Sequence, residues 1–205
     1  MPRAAKKKVA KKSAAKRTAA KKASRKKTAP VKRSGRRVIY SVAMSLDGYI
    51  AGPKGEYDWI IMDPDIEFGD IFSQFDTFLM GRKTFALMAG QGGGTSPGTK
   101  TVVFSKTLKA SDYPRVTIVA DDVAATVKNL KAEPGKDIWL FGGGDLFRSL
   151  LDAGVVDAVG VAVMPVVLGG GVPFVATPAK QTKLRLSKHK LYPKSGIMSL
   201  EYDVI

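Results

Sequence analysis

Ile138-Trp139-Leu140-Phe141-Gly142-Gly143-Gly144-Asp145-Leu146-Phe147-Arg148-Ser149-Leu150-Leu151 is the stretch that decides how this chain folds. Four large apolar residues in a row leave no polar face, as expected of a central parallel strand covered on both sides. After the glycines, Leu146, Phe147, Leu150 and Leu151 share one helical face, which can pack back onto the sheet. Three glycines between such elements let another group approach the backbone, and the helix start beyond them offers unpaired N–H groups to an anion. Two readings stay open: a phosphate-bearing ligand at this turn, or a tight strand-to-helix connection.

The pattern is not G-x-G-x-x-G, and no acidic residue closes a strand about twenty positions later. A dinucleotide bound here would therefore use a scaffold other than the Rossmann fold. Working outward, Val38-Ile39-Tyr40-Ser41-Val42-Ala43-Met44-Ser45 is mostly apolar and β-prone and predicts a central strand, ending in the turn-rich Leu46-Asp47-Gly48-Tyr49-Ile50-Ala51-Gly52-Pro53. Phe68, Ile71, Phe72 and Phe75 recur at helical spacing and predict an amphipathic helix entered through Asp63-Pro64-Asp65, with a strand Thr77 to Met80 directly after.

Gly81-Arg82-Lys83-Thr84 then opens a short helix bearing Phe85 and Met88, and residues 90–98 are glycine-rich and predict a surface loop. Strands are expected over Thr101 to Ser105 and Arg115 to Ala120, then a helix carrying Val123, Val127 and Leu130 with Asp121 or Asp122 as its cap. The order predicts a mainly parallel sheet in an α/β domain. Near the end, Val159, Val161 and Val163, then Leu184 and Leu186, then Met198, Leu200, Tyr202 and Val204 alternate with small or polar residues. That period predicts antiparallel strands, the last two joined as a hairpin through Pro193-Lys194-Ser195-Gly196.

Charge divides the 205 residues sharply. Residues 1–37 hold 17 of the 34 Lys and Arg and none of the 18 Asp and Glu, whereas residues 38–205 carry a net charge of −1. The Lys/Ala-rich segment 1–37 is predicted to be disordered when free and resembles the tails of linker histones and bacterial nucleoid proteins. Such a segment would bind nucleic acid through phosphate neutralisation without reading sequence; a solubilising extension is the alternative. Cysteine is absent and His189 is the one histidine, which excludes disulfides and a Cys/His metal site, so no metal is expected. No apolar run is long enough to span a membrane, and a cytoplasmic protein, nucleoid-associated through the tail, is expected.

Four segments occur in an order that resembles one superfamily: Ser45-Leu46-Asp47-Gly48-Tyr49-Ile50-Ala51, Leu79-Met80-Gly81-Arg82-Lys83-Thr84-Phe85, Val103-Phe104-Ser105-Lys106-Thr107-Leu108 and Trp139-Leu140-Phe141-Gly142-Gly143-Gly144. They resemble dihydrofolate reductases and, more closely through Trp59-Ile60 and Pro165-Val166-Val167-Leu168-Gly169-Gly170-Gly171, the reductase domain of the riboflavin-biosynthesis deaminase-reductase. The resemblance implies a three-layer α/β fold over residues 38–205, a homodimer, and NADPH as cofactor. It places Ala43 and Ile50 at the nicotinamide. Gly81, Arg82, Lys83 and Thr84 face Gly142, Gly143, Gly144, Asp145 and Leu146 across the pyrophosphate, and Ser105 and Lys106 stand at the 2′-phosphate. Asp145 departs from the basic residue that dihydrofolate reductases often carry, which leaves selection of NADPH to Arg82, Ser105 and Lys106.

On the substrate side the resemblance points to Met44, Asp58, Trp59 and Asp65 as binding residues and to Asp47 or Asp63 as the acid that polarises the acceptor. The plainer reading of Asp47 is a carboxylate that holds its own loop, and of Asp63 an acid-rich helix start. The expected activity is hydride transfer to a small heterocyclic, imine or carbonyl substrate. Ile61-Met62-Asp63-Pro64-Asp65 lacks the basic residues with which riboflavin-type reductases hold a ribose phosphate. The competing expectation is a nucleic-acid-associated protein whose core serves as scaffold or cofactor sensor.

Overall fold

The computed structural model describes residues 35–205. The segment before them lies outside the described residues, and with it the expectations of a disordered tail and of nucleic-acid binding. Ten strands and four helices follow in chain order: β1 Val38–Ser45, β2 Tyr49–Ala51, α1 Phe68–Ser73, β3 Phe75–Gly81, α2 Arg82–Gly90, β4 Lys100–Phe104, β5 Thr117–Val119, α3 Val123–Ala132, β6 Asp137–Gly142, α4 Gly144–Asp152, β7 Ala158–Met164, β8 Val172–Pro173, β9 Leu184–Tyr192 and β10 Ile197–Val204. Eight strands form one sheet in the order β5-β4-β3-β6-β1-β7-β10-β9. All pairs from β5 to β7 are parallel, and β10 enters antiparallel to β7 and to β9.

Helices cover both faces, because the central strands are apolar on both. Val38 and Tyr40 of β1 with Ile138 and Leu140 of β6 pack against Val127 and Leu130 of α3 and Leu146, Phe147 and Leu150 of α4. The opposite face, with Phe78, Met80, Val103 and Trp139, packs against Phe85 of α2 and Ile71 of α1. Tyr40 stacks on Phe147 at 3.9 Å between centroids, and this burial raises its phenol far above the ordinary tyrosine range.

Helix α1 is shorter than its periodicity predicts. It stops at Ser73, whose hydroxyl donates to the Asp70 carbonyl, and Phe75 instead opens β3. Phe72 and Phe75 nonetheless meet the same indole, at 5.1 and 5.0 Å from Trp139, so a shared target on two different elements imitates one helical face. The helix also starts later than Asp63-Pro64-Asp65; those residues form a turn in which the Asp65 amide donates to Asp63 Oδ1 at 2.8 Å. At α3, Asp122 stands at the predicted N-cap, in the left-handed region with φ 49°, and makes no side-chain capping bond.

Strand β7 shows where alternation misleads. It runs parallel to β1 and antiparallel to β10, and its second face carries Ala158, Gly160 and Ala162 because a cavity lies above it. The pair β2–β8 has no signal in the sequence at all. Arg36 and Arg37, counted with the basic tail by charge, belong to the folded unit. Arg36 is buried and donates to Thr77 Oγ1 (2.7 Å), the Leu130 carbonyl (3.2 Å) and the Asp76 carboxylate, while Arg37 forms a two-nitrogen pair with Asp137.

Candidate functional site

The parallel strands bring the predicted residues to one edge. Gly81 ends β3, Gly142 ends β6, Ser105 follows β4, and Asp47 follows β1, all at the C-terminal side of the sheet. Chain order jumps here from β3 to β4 outward and from β5 back to β6, the kind of switch point at which open α/β sheets bind ligands.

At the centre of this edge two helices begin side by side. Gly81 is the N-cap of α2 and Gly143 that of α4, and neither start receives a side-chain capping bond. A β-carbon at Gly81 would stand 3.7 Å from the Gly142 carbonyl oxygen and 4.0 Å from the Gly143 nitrogen, so the two turns face each other across a gap that a single methyl group would occupy. Gly142 adopts φ +136°, and the peptide joining it to Gly143 is cis. Gly144 is packed from behind by the chain near β8, where a β-carbon would come within 2.5 Å of the Pro173 carbonyl oxygen. The Thr84 hydroxyl lies beside Gly142 and Gly143, and Arg82 and Lys83 are exposed at the mouth. Two helix starts without side-chain caps, a hydroxyl and two cations are groups whose chemistry can hold phosphate.

The neighbouring residues divide by task. Ser105 is buried, and its hydroxyl oxygen accepts the amides of Thr107 (3.1 Å) and Leu108 (3.0 Å), so it shapes the turn after β4. Lys106 is exposed and stands 3.7 Å from Asp121. Asp145 is exposed in the first turn of α4, and Leu146 behind it belongs to the core.

Asp47 accepts the Leu168 amide on Oδ1 (3.1 Å) and the Gly169 amide on Oδ2 (2.7 Å), fastening the loop after β7 to the loop after β1. The Ser45 hydroxyl and these amides hold its carboxyl below the usual aspartate range. Asp63 is buried beneath the β9–β10 turn. Ser195, the Asp65 amide and the Lys194 ammonium lower its pKa, yet its Oδ2 has no partner with hydrogen-bond geometry. Asp65 pairs with Lys194 at 2.8 Å, and Asp65 is in turn the main reason that lysine's pKa is raised. Both Asp63 and Asp65 thus fix the segment before α1 to the C-terminal hairpin.

Beneath that segment lies a cavity of about 260 Å³ on the α1 face of the sheet. Its floor is Ile39, Ser41 and Ala43 of β1, Ala158, Gly160 and Ala162 of β7, and Ser199 and Glu201 of β10; its roof is Ile60, Ile61, Met62, Ile66 and Ile71. Trp139 closes one wall and donates its indole N–H to the Ser41 carbonyl at 2.8 Å. Of the residues expected near substrate or nicotinamide, Ala43 lines this cavity, whereas Met44, Asp58, Trp59, Asp65 and Ile50 do not. Met44 points to the other face by strand alternation, and the Trp59 indole donates to the Glu56 carbonyl at 3.0 Å. The signals for the cavity were the apolar run Ile60-Ile61-Met62 and the small residues alternating along 158–162.

This edge and this sheet define the class: a dihydrofolate-reductase-like α/β fold with a mostly parallel sheet and a C-terminal antiparallel hairpin. Among solved structures, the diaminohydroxyphosphoribosylaminopyrimidine deaminase/5-amino-6-(5-phosphoribosylamino)uracil reductase of Thermotoga maritima superposes with a TM-score of 0.62 at 17% identity over 83% of this chain and 57% of that one. Dihydrofolate reductase from Enterococcus faecalis, complexed with NADP(H), gives 0.58 at 16% over 83% and 97%. The RibD C-terminal domain family matches residues 36–197, and the chain belongs to that family. The uncharacterised protein YyaP of Bacillus subtilis is 37% identical over 180 residues, covering 82% of this chain and 94% of that protein. Family and fold together indicate a reductase-type oxidoreductase.

Proposed function

We propose that the protein is an NADPH-dependent reductase of a small heterocyclic, imine or carbonyl compound. The observation that carries this reading is the facing pair of helix starts at Gly81–Thr84 and Gly142–Gly144, whose gap a β-carbon would fill. The Enterococcus dihydrofolate reductase holds NADP(H) on the same fold, which supports a nucleotide of that kind here.

When bound, the cofactor would supply a hydride. The protein's residues supply position and charge. Amides at the α2 and α4 starts, with Thr84, would hold the pyrophosphate, and Arg82 and Lys83 would neutralise it from the solvent side. Lys106, beside the turn that Ser105 shapes, would take the 2′-phosphate. Asp145 would stay at the rim and Leu146 would brace the helix start. Ala43 and Ile50 would flank the nicotinamide, and Ala43 is shared with the cavity described above.

Asp47 keeps the loops after β1 and β7 together, and Asp63 keeps the cavity roof in place. The contacts that hold both carboxyls below the ordinary range are the same ones that tie their loops together, which gives Asp47 and Asp63 a positioning role. Exposed Leu184, Leu186 and Leu191 on the edge strand β9 support the expected pairing with a second copy.

The test is a titration of the full chain with NADPH and with NADH, followed by nucleotide fluorescence. Saturable binding that prefers NADPH, weakens about tenfold or more in Arg82→Ala, and loses its preference in Lys106→Ala is expected. No saturable binding by folded protein removes the reading.

A further inference from the structure

The cavity under the segment before α1 has a chemistry that differs from what a phosphorylated sugar would need. Its floor is flat and small: Ile39, Ser41 and Ala43 stand directly opposite Ala158, Gly160 and Ala162, and these in turn oppose Asp203, Glu201 and Ser199. The roof, Ile60, Ile61, Met62, Ile66 and Ile71, is wholly apolar. A flat floor of small residues under an aliphatic roof suits a planar ring system, and about 260 Å³ gives room for one or two fused rings.

Charge in the slot is balanced. Arg37 and Lys188 are the lining cations, and each is already paired, Arg37 to Asp137 at 2.8 Å and Lys188 to Glu201 at 3.2 Å. Asp203, the other lining acid, is bonded to Arg185 at 2.9 Å. Among the described residues, then, no lining cation is left over for a phosphate dianion, and Glu201 and Asp203 would repel one. Ser41, Gln74, Ser187, Ser199 and Tyr192 remain as neutral polar groups around the slot.

We infer that this slot binds an uncharged, planar heterocyclic carbonyl or imine compound without a phosphate, in contrast to a ribose-phosphate-bearing pyrimidine. This rests on the reductase reading for its role in catalysis, and on the cavity alone for its ligand chemistry. The charge of a ribosyl phosphate finds no unpaired cation among the described residues that line the slot.

Calorimetric titration of the full chain with isatin, an uncharged planar bicyclic carbonyl compound, at about 0.15 M salt tests it. Isatin is expected to bind saturably, ribose 5-phosphate to leave that binding unchanged, and Ala162→Leu, which fills the floor, to weaken it about tenfold or more. Ile61→Arg, at the half-open rim, spares the packed floor and keeps the test decisive if Ala162→Leu does not fold; it replaces an apolar contact over the ring by a charge and should likewise weaken isatin about tenfold or more. Competition measures the slot itself, since phosphate held elsewhere on a basic chain would not displace isatin. Displacement of isatin by ribose 5-phosphate in the unaltered chain overturns the inference. NADPH binding by the same preparation without isatin binding overturns the inference and spares the reductase reading. Isatin binding without NADPH binding upholds the slot and removes that reading.

Discussion

Replacing Gly81 and Gly144 by alanine, one at a time, separates a glycine kept for a ligand from a glycine kept for packing. At Gly81 the backbone is extended, with φ −78° and ψ 159°, and the new methyl carbon would lie 3.7 Å from the nearest atom, an ordinary contact. The fold should notice little: a glycine N-cap exchanged for alanine costs about 1 kcal/mol or less, which in a folded unit of this size lowers Tm by roughly 2–4 °C. The same methyl group occupies the gap between the two turns, where phosphate would pass, and NADPH binding should fall about a hundredfold, equivalent to ~2.7 kcal/mol. At Gly144 the β-carbon would come within 2.5 Å of the Pro173 carbonyl oxygen, a backbone atom that cannot swing aside. Overpacking of that kind costs about 1–3 kcal/mol, and Tm should drop by roughly 2–12 °C. Differential scanning fluorimetry and nucleotide fluorescence read the two effects. If Gly81→Ala binds NADPH as tightly as the unaltered chain, the gap between the turns is not a phosphate path and the reasoning fails.

Three other outcomes are expected. Asp76→Ala strips the buried Arg36 guanidinium of its carboxylate and should cost about 2–4 kcal/mol in urea unfolding, whereas Arg36→Met with Asp76→Ala should recover part of that loss; equal or greater damage in the double variant would contradict it. Because Asp47 and Asp63 have folded pKa values below the ordinary 3.8, their stabilisation is present above that value and is lost as pH falls through the lower folded value. A Tm profile should therefore steepen below about pH 4, less so in Asp47→Asn; an unchanged acid limb in that variant would show that the Asp47 clamp contributes nothing. Deleting residues 1–34 should abolish salt-sensitive retention of the protein on double-stranded DNA while leaving NADPH affinity within about twofold, and retention by the shortened chain would place the nucleic-acid contact elsewhere.

Much of this architecture could be read from residue patterns, because its central strands are buried on both faces and say so in their composition. Ile138 to Phe141, the glycines and the amphipathic run to Leu151 became β6, the turn and α4. The hairpin of β9 and β10 was legible for the opposite reason, since polar and apolar residues alternate along it. Where a residue obeyed two rules at once the pattern failed. Phe75 keeps helical spacing with Phe72 yet belongs to a strand, because both rings pack on Trp139. Arg36 and Arg37 look like the end of a basic tail and are ion-paired in the fold, since charge counts carry no information about partners forty and a hundred positions away.

The facing turns at Gly81 and Gly142 were legible because their glycines and cations are contiguous in sequence at two strand ends. The slot was not, since its floor is assembled from alternate residues of β1, β7 and β10 and its roof from a segment without regular structure. Similarly, nothing local to Asp47 names Leu168 and Gly169 as its partners. Sequence could place the acid on a loop after the first strand, and only the three-dimensional pairing shows what both oxygens hold.

The most direct measurement is a crystal structure of the full chain grown with NADP⁺. The account predicts pyrophosphate density between Gly81–Thr84 and Gly142–Gly144, the adenosine end directed toward Lys106 and the nicotinamide against Ala43. Nucleotide bound at any other surface, or the two turns closed against each other at saturating NADP⁺, would contradict it.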